Sequence, residues 1–293
     1  MKFVYIADTH CGGQSDEGYH RQYRYIERLD QIISALCTVI RETRASVVVH
    51  GGDFVDVASP DNIATAARLC ARLPVPVRGV LGNHDMTSPF ARGLFMRAAP
   101  RLFPEGRTDY GWVMDQVRFD FLTTHWDTGQ PYFWESGGMQ KAHFLPEQLE
   151  VPRRKLAAEI VGRVLVTHGP ALGLPVEQTG DPALCHAPEL TFTSSVAALV
   201  EEHRYDLVLG AHTHLNMINY IDRTPCVTVS ALPETPFECK LIEVDRGYLR
   251  MQTIPLAEYV DFPHAYHYDA AYVQGRPVDR QISGPVPVAS GNP

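Results

Sequence analysis

The sequence predicts an α/β fold with a layered core, and two patterns carry that prediction. Over residues 3–82, short apolar β-branched runs alternate with stretches of helical apolar spacing, in the order strand, helix, strand, helix, strand. In addition, five such runs along the chain end abruptly in Gly, Asp, Asn or His. They are Phe3-Val4-Tyr5-Ile6, Val47-Val48-Val49, Gly79-Val80-Leu81, Val164-Leu165-Val166 and Leu207-Val208-Leu209. Unbroken runs of this kind read as strands buried on both faces.

The elements follow in order. Tyr25, Ile26, Leu29, Ile32, Ile33, Leu36, Val39 and Ile40 recur at three- and four-residue intervals, predicting an amphipathic helix that covers a sheet. Ser59-Pro60-Asp61 offers an N-cap with proline at the first helical position. Ile63, Ala66, Ala67, Cys70 and Leu73 mark the helix that follows, stopped near Pro74. Residues 117–122 alternate like a half-buried strand. Residues 128–145 mix Gly, Pro, Trp and Tyr without a period and read as a long loop. Residues 149–160 resemble a helix with Pro152 in its first turn. Thr193-Ser194-Ser195 is expected to cap a helix running through Leu199 and Val200. Runs at 217–220, 226–229 and 240–244 read as an antiparallel strand series. The chain divides into a main domain over 1–259 and a tail over 260–293, first Tyr/His-rich and then Pro/Gly-rich. From residue 275 it has little to bury and is expected to be extended or disordered.

With 26 basic against 34 acidic residues the net charge is −8, so there is no general basic footprint for nucleic acid. No apolar run approaches the roughly 18 residues of a membrane span. The apolar opening, residues 1–7, is too short for a signal peptide. A soluble cytoplasmic protein is expected. The six cysteines form no CxxC pair and read as reduced thiols, several of them in the core.

The chemistry sits where the runs end, at Asp8-Thr9-His10, Gly52-Asp53, Gly82-Asn83-His84-Asp85, Thr167-His168-Gly169 and Gly210-Ala211-His212-Thr213-His214. Ligands bind outside the carboxyl ends of such strands, so five ends can converge. Asp and His suit a divalent Mn, Fe or Zn ion. Residues two apart on extended chain point the same way, so Asp8/His10 and His212/His214 each present two donors to one centre. Two metals about 3.5–4 Å apart can hold a phosphate and a bridging hydroxide for in-line displacement at phosphorus. Asp53 is the candidate bridging carboxylate. Glycines at 52, 82 and 210 let the chain turn away from each strand.

The order DxH, GD, GNHD, His-Gly and a GHxH-like motif resembles the calcineurin-like metallophosphoesterase superfamily over roughly residues 1–245. The last motif departs, with its glycine one place early, but both histidines remain. The resemblance implies a four-layer α/β/β/α sandwich with two facing mixed sheets. It also implies two divalent metal ions, one held by Asp8, His10, Asp53 and His214, the other by Asp53, Asn83, His168 and His212. His84 would stabilise the transition state or protonate the leaving oxygen, and Asp85 would orient His84 or a ligand. Asp56 reads equally as a further partner of these residues or as a solvated turn charge.

The implied function is a binuclear metal-dependent phosphodiesterase, in which a metal-bridging hydroxide attacks a small-molecule diester. Among relatives, the chain most resembles small bacterial phosphodiesterases of the cyclic-nucleotide type. Phosphomonoesterase and DNA-repair nuclease are the alternatives, and a scaffold without catalysis ranks last. The repair nucleases need a DNA-capping domain, for which residues 246–293 are too short. Tyr132, Phe133, Trp134 and Trp126 are candidates for an apolar wall against a base or aromatic leaving group. His50 is expected to be a packed core residue. For His125, substrate contact is the lesser of two readings. Cys11 is expected near the metals but not as a ligand. His264 and His267 read as packing or as a contact between subunits of a homo-oligomer.

Overall fold

The structure, a computed structural model, describes residues 1–18, 20, 22–127, 129, 131–135, 141–155 and 159–285. Its strands are β1 (Lys2–Ile6), β2 (Val47–His50), β3 (Val77–Gly79), β4 (Tyr110–Met114), β5 (Val117–Phe121) and β6 (Gly162–Val166). They continue with β7 (Leu207–Leu209), β8 (Met217–Ile221), β9 (Thr224–Thr228), β10 (Glu238–Asp245), β11 (Tyr248–Pro255) and β12 (Gln281–Pro285). Two six-stranded sheets result, in the orders β12-β11-β10-β1-β2-β3 and β4-β5-β6-β7-β9-β8. β1, β2 and β3 run parallel, as do β5, β6, β7 and β9; the outer strands are antiparallel, so both sheets are mixed.

The sheets face each other across one apolar core, where the Phe3 ring of β1 meets Phe119 of β5 edge-on at 5.2 Å. Strand alternation then sorts the second sheet. Val164, Val166, Leu207 and Leu209 enter that shared core, while Leu165 and Val208 point outward to Phe192, Val196 and Leu199. Those last three belong to helix α5 (Leu190–His203), which covers the outer face. Against the first sheet pack α1 (Leu29–Thr43), α2 (Pro60–Ala71) and α3 (Ala91–Ala98). A short α4 (Val176–Thr179) follows β6. This is the four-layer α/β/β/α sandwich. Ser59 caps α2 by accepting from Asn62 N at 3.2 Å. No helix of the described residues is long and apolar enough to cross a membrane.

Several local expectations fail for physical reasons. β5 is buried at all five positions rather than half-buried, because its polar residues satisfy each other. Arg118 pairs with Asp120 at 2.8 Å and donates to the carbonyls of Val151 and Arg154, while Tyr205 donates to Asp120 at 2.7 Å. Removing one partner of a buried pair strands the other charge, so Asp120→Ala is expected to destabilise the chain by about 3–5 kcal/mol. An unchanged urea midpoint would refute that. Residues 149–155 form no α-helix: a 3-10 turn (Pro146–Glu150) ends just before Pro152, which supplies no N–H, and 156–158 lie outside the described residues. α5 begins at Leu190, ahead of the expected Thr193 cap. The three late runs do not form one series; β8 and β9 join the second sheet, and β10 pairs with β1 in the first.

Residues 260–285 pack against the main domain, and the stretch from 275, expected to be extended or disordered, contains a paired strand. Phe262, Ala270 and Val273 are buried, and β12 pairs with β11. Asp279 Oδ1 accepts from Ile218 N of β8, and its carbonyl accepts from Lys240 Nζ of β10, so this segment clips one sheet to the other. Residues 286–293 lie outside the described residues.

Candidate metal centre

All five motifs stand just past the carboxyl ends of strands. β1, β2 and β3 carry Asp8/His10, Asp53 and Asn83/His84, and β6 and β7 carry His168 and His212/His214. Two sheets thus contribute to one place. Tyr5 on β1 ties their edges by donating to the Gly210 carbonyl after β7. Asp8, His10, Asp53, His212 and His214 all have positive φ, at 53°, 45°, 55°, 71° and 55°. Residues other than glycine are uncommon there, and here the backbone twist aims each side chain inward. Of the motif glycines, only Gly52 needs its own positive φ, 103°. Gly82 serves close approach instead, since a Cβ there would run into Asp53 Oδ1.

Asp8, His10 and His214 form one group of converging donor atoms and Asp53, His168 and His212 another; His10, Asp53 and His84 form a third between them. His10 Nε2 lies 3.1 Å from His214 Nε2. Asn83 Oδ1 lies 3.1 Å from His168 Nε2 and 2.9 Å from His212 Nδ1. Asp53 Oδ2 lies 3.3 Å from His168 Nε2 and 3.8 Å from His10 Nε2, so this carboxylate stands between the groups.

The donor set fits divalent cations. Asp8 is fully buried and its Oδ2 has no hydrogen-bond partner among the described residues, although buried carboxylates normally find one. Burial also holds the Asp8 carboxyl well above its usual range. Burial lowers His10 to about 4 and His212 and His214 to about 3, leaving them as neutral imidazoles with lone pairs to give. For His168 burial acts downward, but the Asp53 carboxylate outweighs it and pushes the ring up to about 9. The outer nitrogens fix the tautomers. His168 Nδ1 donates to the Gly51 carbonyl at 2.8 Å, and His214 Nδ1 donates to Glu234 Oε1 at 3.0 Å.

His84 is a third exposed and lies on a cleft of about 480 Å³ with His10, Asp53, His212 and His214. Its Nδ1 donates to the Asp56 carbonyl at 2.8 Å, which leaves Nε2 for the cleft. Of the two expectations for Asp85, orienting His84 or orienting a ligand, the geometry agrees with the second. Asp85 does not reach the His84 ring; it is buried and accepts from Gly82 N at 2.9 Å and Val55 N at 3.0 Å. Burial, then the Asp53 charge, pushes its carboxyl up to about 8. Asp85 therefore braces the turns that carry Asp53 and Asn83. Asp56 is the residue beside the imidazoles, with Oδ1 3.2 Å from His10 Nδ1.

Trp126 and Trp134 line the cleft, whereas Tyr132 and Phe133 do not. The Trp134 ring lies 4.9 Å from His84, and the Trp126 ring lies 5.0 Å from His212. His125 is buried away from the cleft, its ring nitrogens 3.0 and 3.1 Å from Arg92. His50 is a packed residue that stacks on Phe54 at 3.8 Å and accepts from Gly52 N. Cys11 is buried, and burial pushes its thiol to about 12. Sequence reasoning passed over two residues. Arg24 lines the cleft with its guanidinium held by Asp16 at 2.7 Å, and Glu234 backs His214. Both sit on aperiodic segments, where no pattern marks them. A larger cavity, about 720 Å³, opens beside Arg153, Arg154 and Arg204 and contains none of the motif residues.

Comparison with known proteins agrees with this geometry. A stretch of 93 residues is 30% identical to the DNA double-strand break repair protein Mre11 of Saccharolobus solfataricus, covering 29% of this chain but only 23% of that protein. A dimetal phosphatase from Danio rerio superposes with a TM-score of 0.65 at 16% identity, covering 87% of this chain and 96% of its own. The protein described as the anchor in the inner membrane complex of Plasmodium has a TM-score of 0.57 at 12% identity, covering 87% and 84%. These two structures share the fold. The model of the calcineurin-like phosphoesterase family matches residues 1–216, almost three quarters of the sequence and every donor-bearing strand end. The chain belongs to the calcineurin-like phosphoesterase family.

Proposed function

We propose that the chain is a phosphodiesterase with two divalent metal ions, acting on small-molecule diesters. Asp8, His10, Asp53 and His214 would hold one ion and Asp53, Asn83, His168 and His212 the other, with Mn, Fe or Zn suited to the mixed oxygen and nitrogen donors. Bound there, the ions would neutralise phosphoryl charge and activate water at neutral pH. Asp53 stands between the two donor groups, and Asn83 joins His168 to His212 within one of them. His84, anchored through Nδ1, presents Nε2 to the cleft and in its protonated form gives that proton to the departing oxygen. Asp85 is a positioning residue for the turns on either side.

The observation that carries the diester reading is the pair of indoles. The Trp134 ring lies beside His84, where the leaving group departs, and the Trp126 ring lies beside His212, both on the cleft. Two apolar surfaces suit the two organic substituents of a diester, and a monoester has one. The test is the ratio of kcat/KM on a bis-aryl phosphodiester to that on the matching aryl monoester, with Mn²⁺ restored after chelation. A diester preference is expected, and a monoester preference would turn the reading to a phosphatase. The 93-residue likeness to a DNA-repair protein supports a second reading, nuclease action on DNA ends. Metal-dependent digestion of DNA, weakening steeply with salt, would favour it.

A further inference from the structure

The catalytic reading leaves Glu234 without a role. This residue lies on the turn between β9 and β10, beyond the family-matched residues 1–216, and its side chain is fully buried. A carboxylate buried for structural reasons is usually saturated by backbone N–H groups. Glu234 is not: Oε1 accepts from His214 Nδ1, and Oε2 has no hydrogen-bond partner among the described residues.

We propose that Glu234 is a positioning residue that makes the two metal sites unequal. The proposal rests on the two-metal reading above. Holding the Nδ1 proton commits the Nε2 lone pair of His214 to the group it faces, 3.1 Å from His10 Nε2 and 3.9 Å from Asp8 Oδ1. A carboxylate behind a ligating imidazole makes it a stronger donor, and loss of such a partner costs about 10–100-fold in metal affinity. In the other group, His168 is backed by the neutral carbonyl of Gly51. Glu234 therefore strengthens the Asp8–His10–His214 site and leaves the Asn83–His168–His212 site alone.

The carboxylate is held in register by Gln22 and the segment from 262 to 275. Gln22 is fully buried, and its Oε1 accepts from Thr235 Oγ1 at 3.1 Å while its Nε2 donates to the His267 carbonyl at 3.0 Å. Gln274 Nε2 donates to the Thr235 carbonyl at 3.2 Å. The segment from 262 to 275 thus fixes the turn that carries Glu234, and a region outside the matched family domain acts on the metal centre.

The experiment is a titration of the full-length apoprotein with Co²⁺, followed by calorimetry and by the visible absorption of the bound ion. Wild type is expected to take two equivalents. In Glu234→Ala one equivalent should weaken about 10–100-fold, with a changed visible band, while the other keeps its affinity and band. Glu234→Gln keeps a hydrogen-bond acceptor but not the charge, so the same equivalent should weaken by less. If the alanine variant fails to fold, the glutamine variant decides. Unchanged affinities, or an equal loss at both equivalents, would overturn the proposal. A wild type that binds no metal would overturn the two-metal reading as well, which separates that failure from one specific to Glu234.

Discussion

Replacing His84 with alanine is expected to lower turnover by about 10²–10⁴-fold while two metal ions stay bound. The separation of effects follows from what each part of the residue does. The backbone N of His84 donates to Asp53 Oδ1 at 2.9 Å, and alanine keeps that bond, so the Asp53 carboxylate stays in place. Only the imidazole is lost, with its Nε2 facing the cleft and its Nδ1 held by Asp56. Metal analysis beside steady-state kinetics checks both halves. Unchanged turnover would remove His84 from the chemistry, and a parallel loss of metal would make it a ligand.

The second large effect is expected at Asp53. Asp53→Asn should reduce bound metal below one ion per chain and lower turnover on the order of 10³-fold. The substitution is a clean one. Asparagine tolerates the left-handed backbone that Asp53 adopts, at φ 55°, so the change is one of charge and not of chain path. Oδ2 stands within 4 Å of His168 and His10, one from each donor group, and a neutral amide offers a single oxygen where two anionic ones stood. Elemental analysis of the purified variant reads the outcome, with the circular dichroism spectrum as the control for folding. Two retained equivalents would show that Asp53 is not shared between the groups.

The residues at the strand ends were legible because chemistry restricts their type and the strand fixes their place. Val164-Leu165-Val166 announces a buried strand, and His168 two residues later has nowhere to go but the sheet edge. The layered core was legible for the same reason, from β-branched runs and from the Ser59-Pro60 start of α2. What escaped depends on distant partners. The outward side chains of β5 read as solvent-facing until Arg118 and Asp120 are seen to neutralise each other under the carbonyls of 151 and 154. β12 reads as tail because its pairing is supplied by β11, about thirty residues earlier. Glu234 meets His214 across a strand pair, and Arg24 reaches the cleft from a segment with no period. The motif left open whether Asp85 orients His84 or a ligand, and only its bonds to Gly82 N and Val55 N decide between them.

The five left-handed residues of the centre have a wider consequence. A side chain in that region costs about 1–2 kcal/mol against glycine for most residues and less for aspartate. At positions 8, 10, 53, 212 and 214 the polypeptide therefore works against its own preference so that the donors can face one another. Durability and chemistry are in opposition at these sites. A selection for heat resistance alone, blind to turnover, would enrich glycine there, and each survivor would have exchanged a donor for a relaxed strand end.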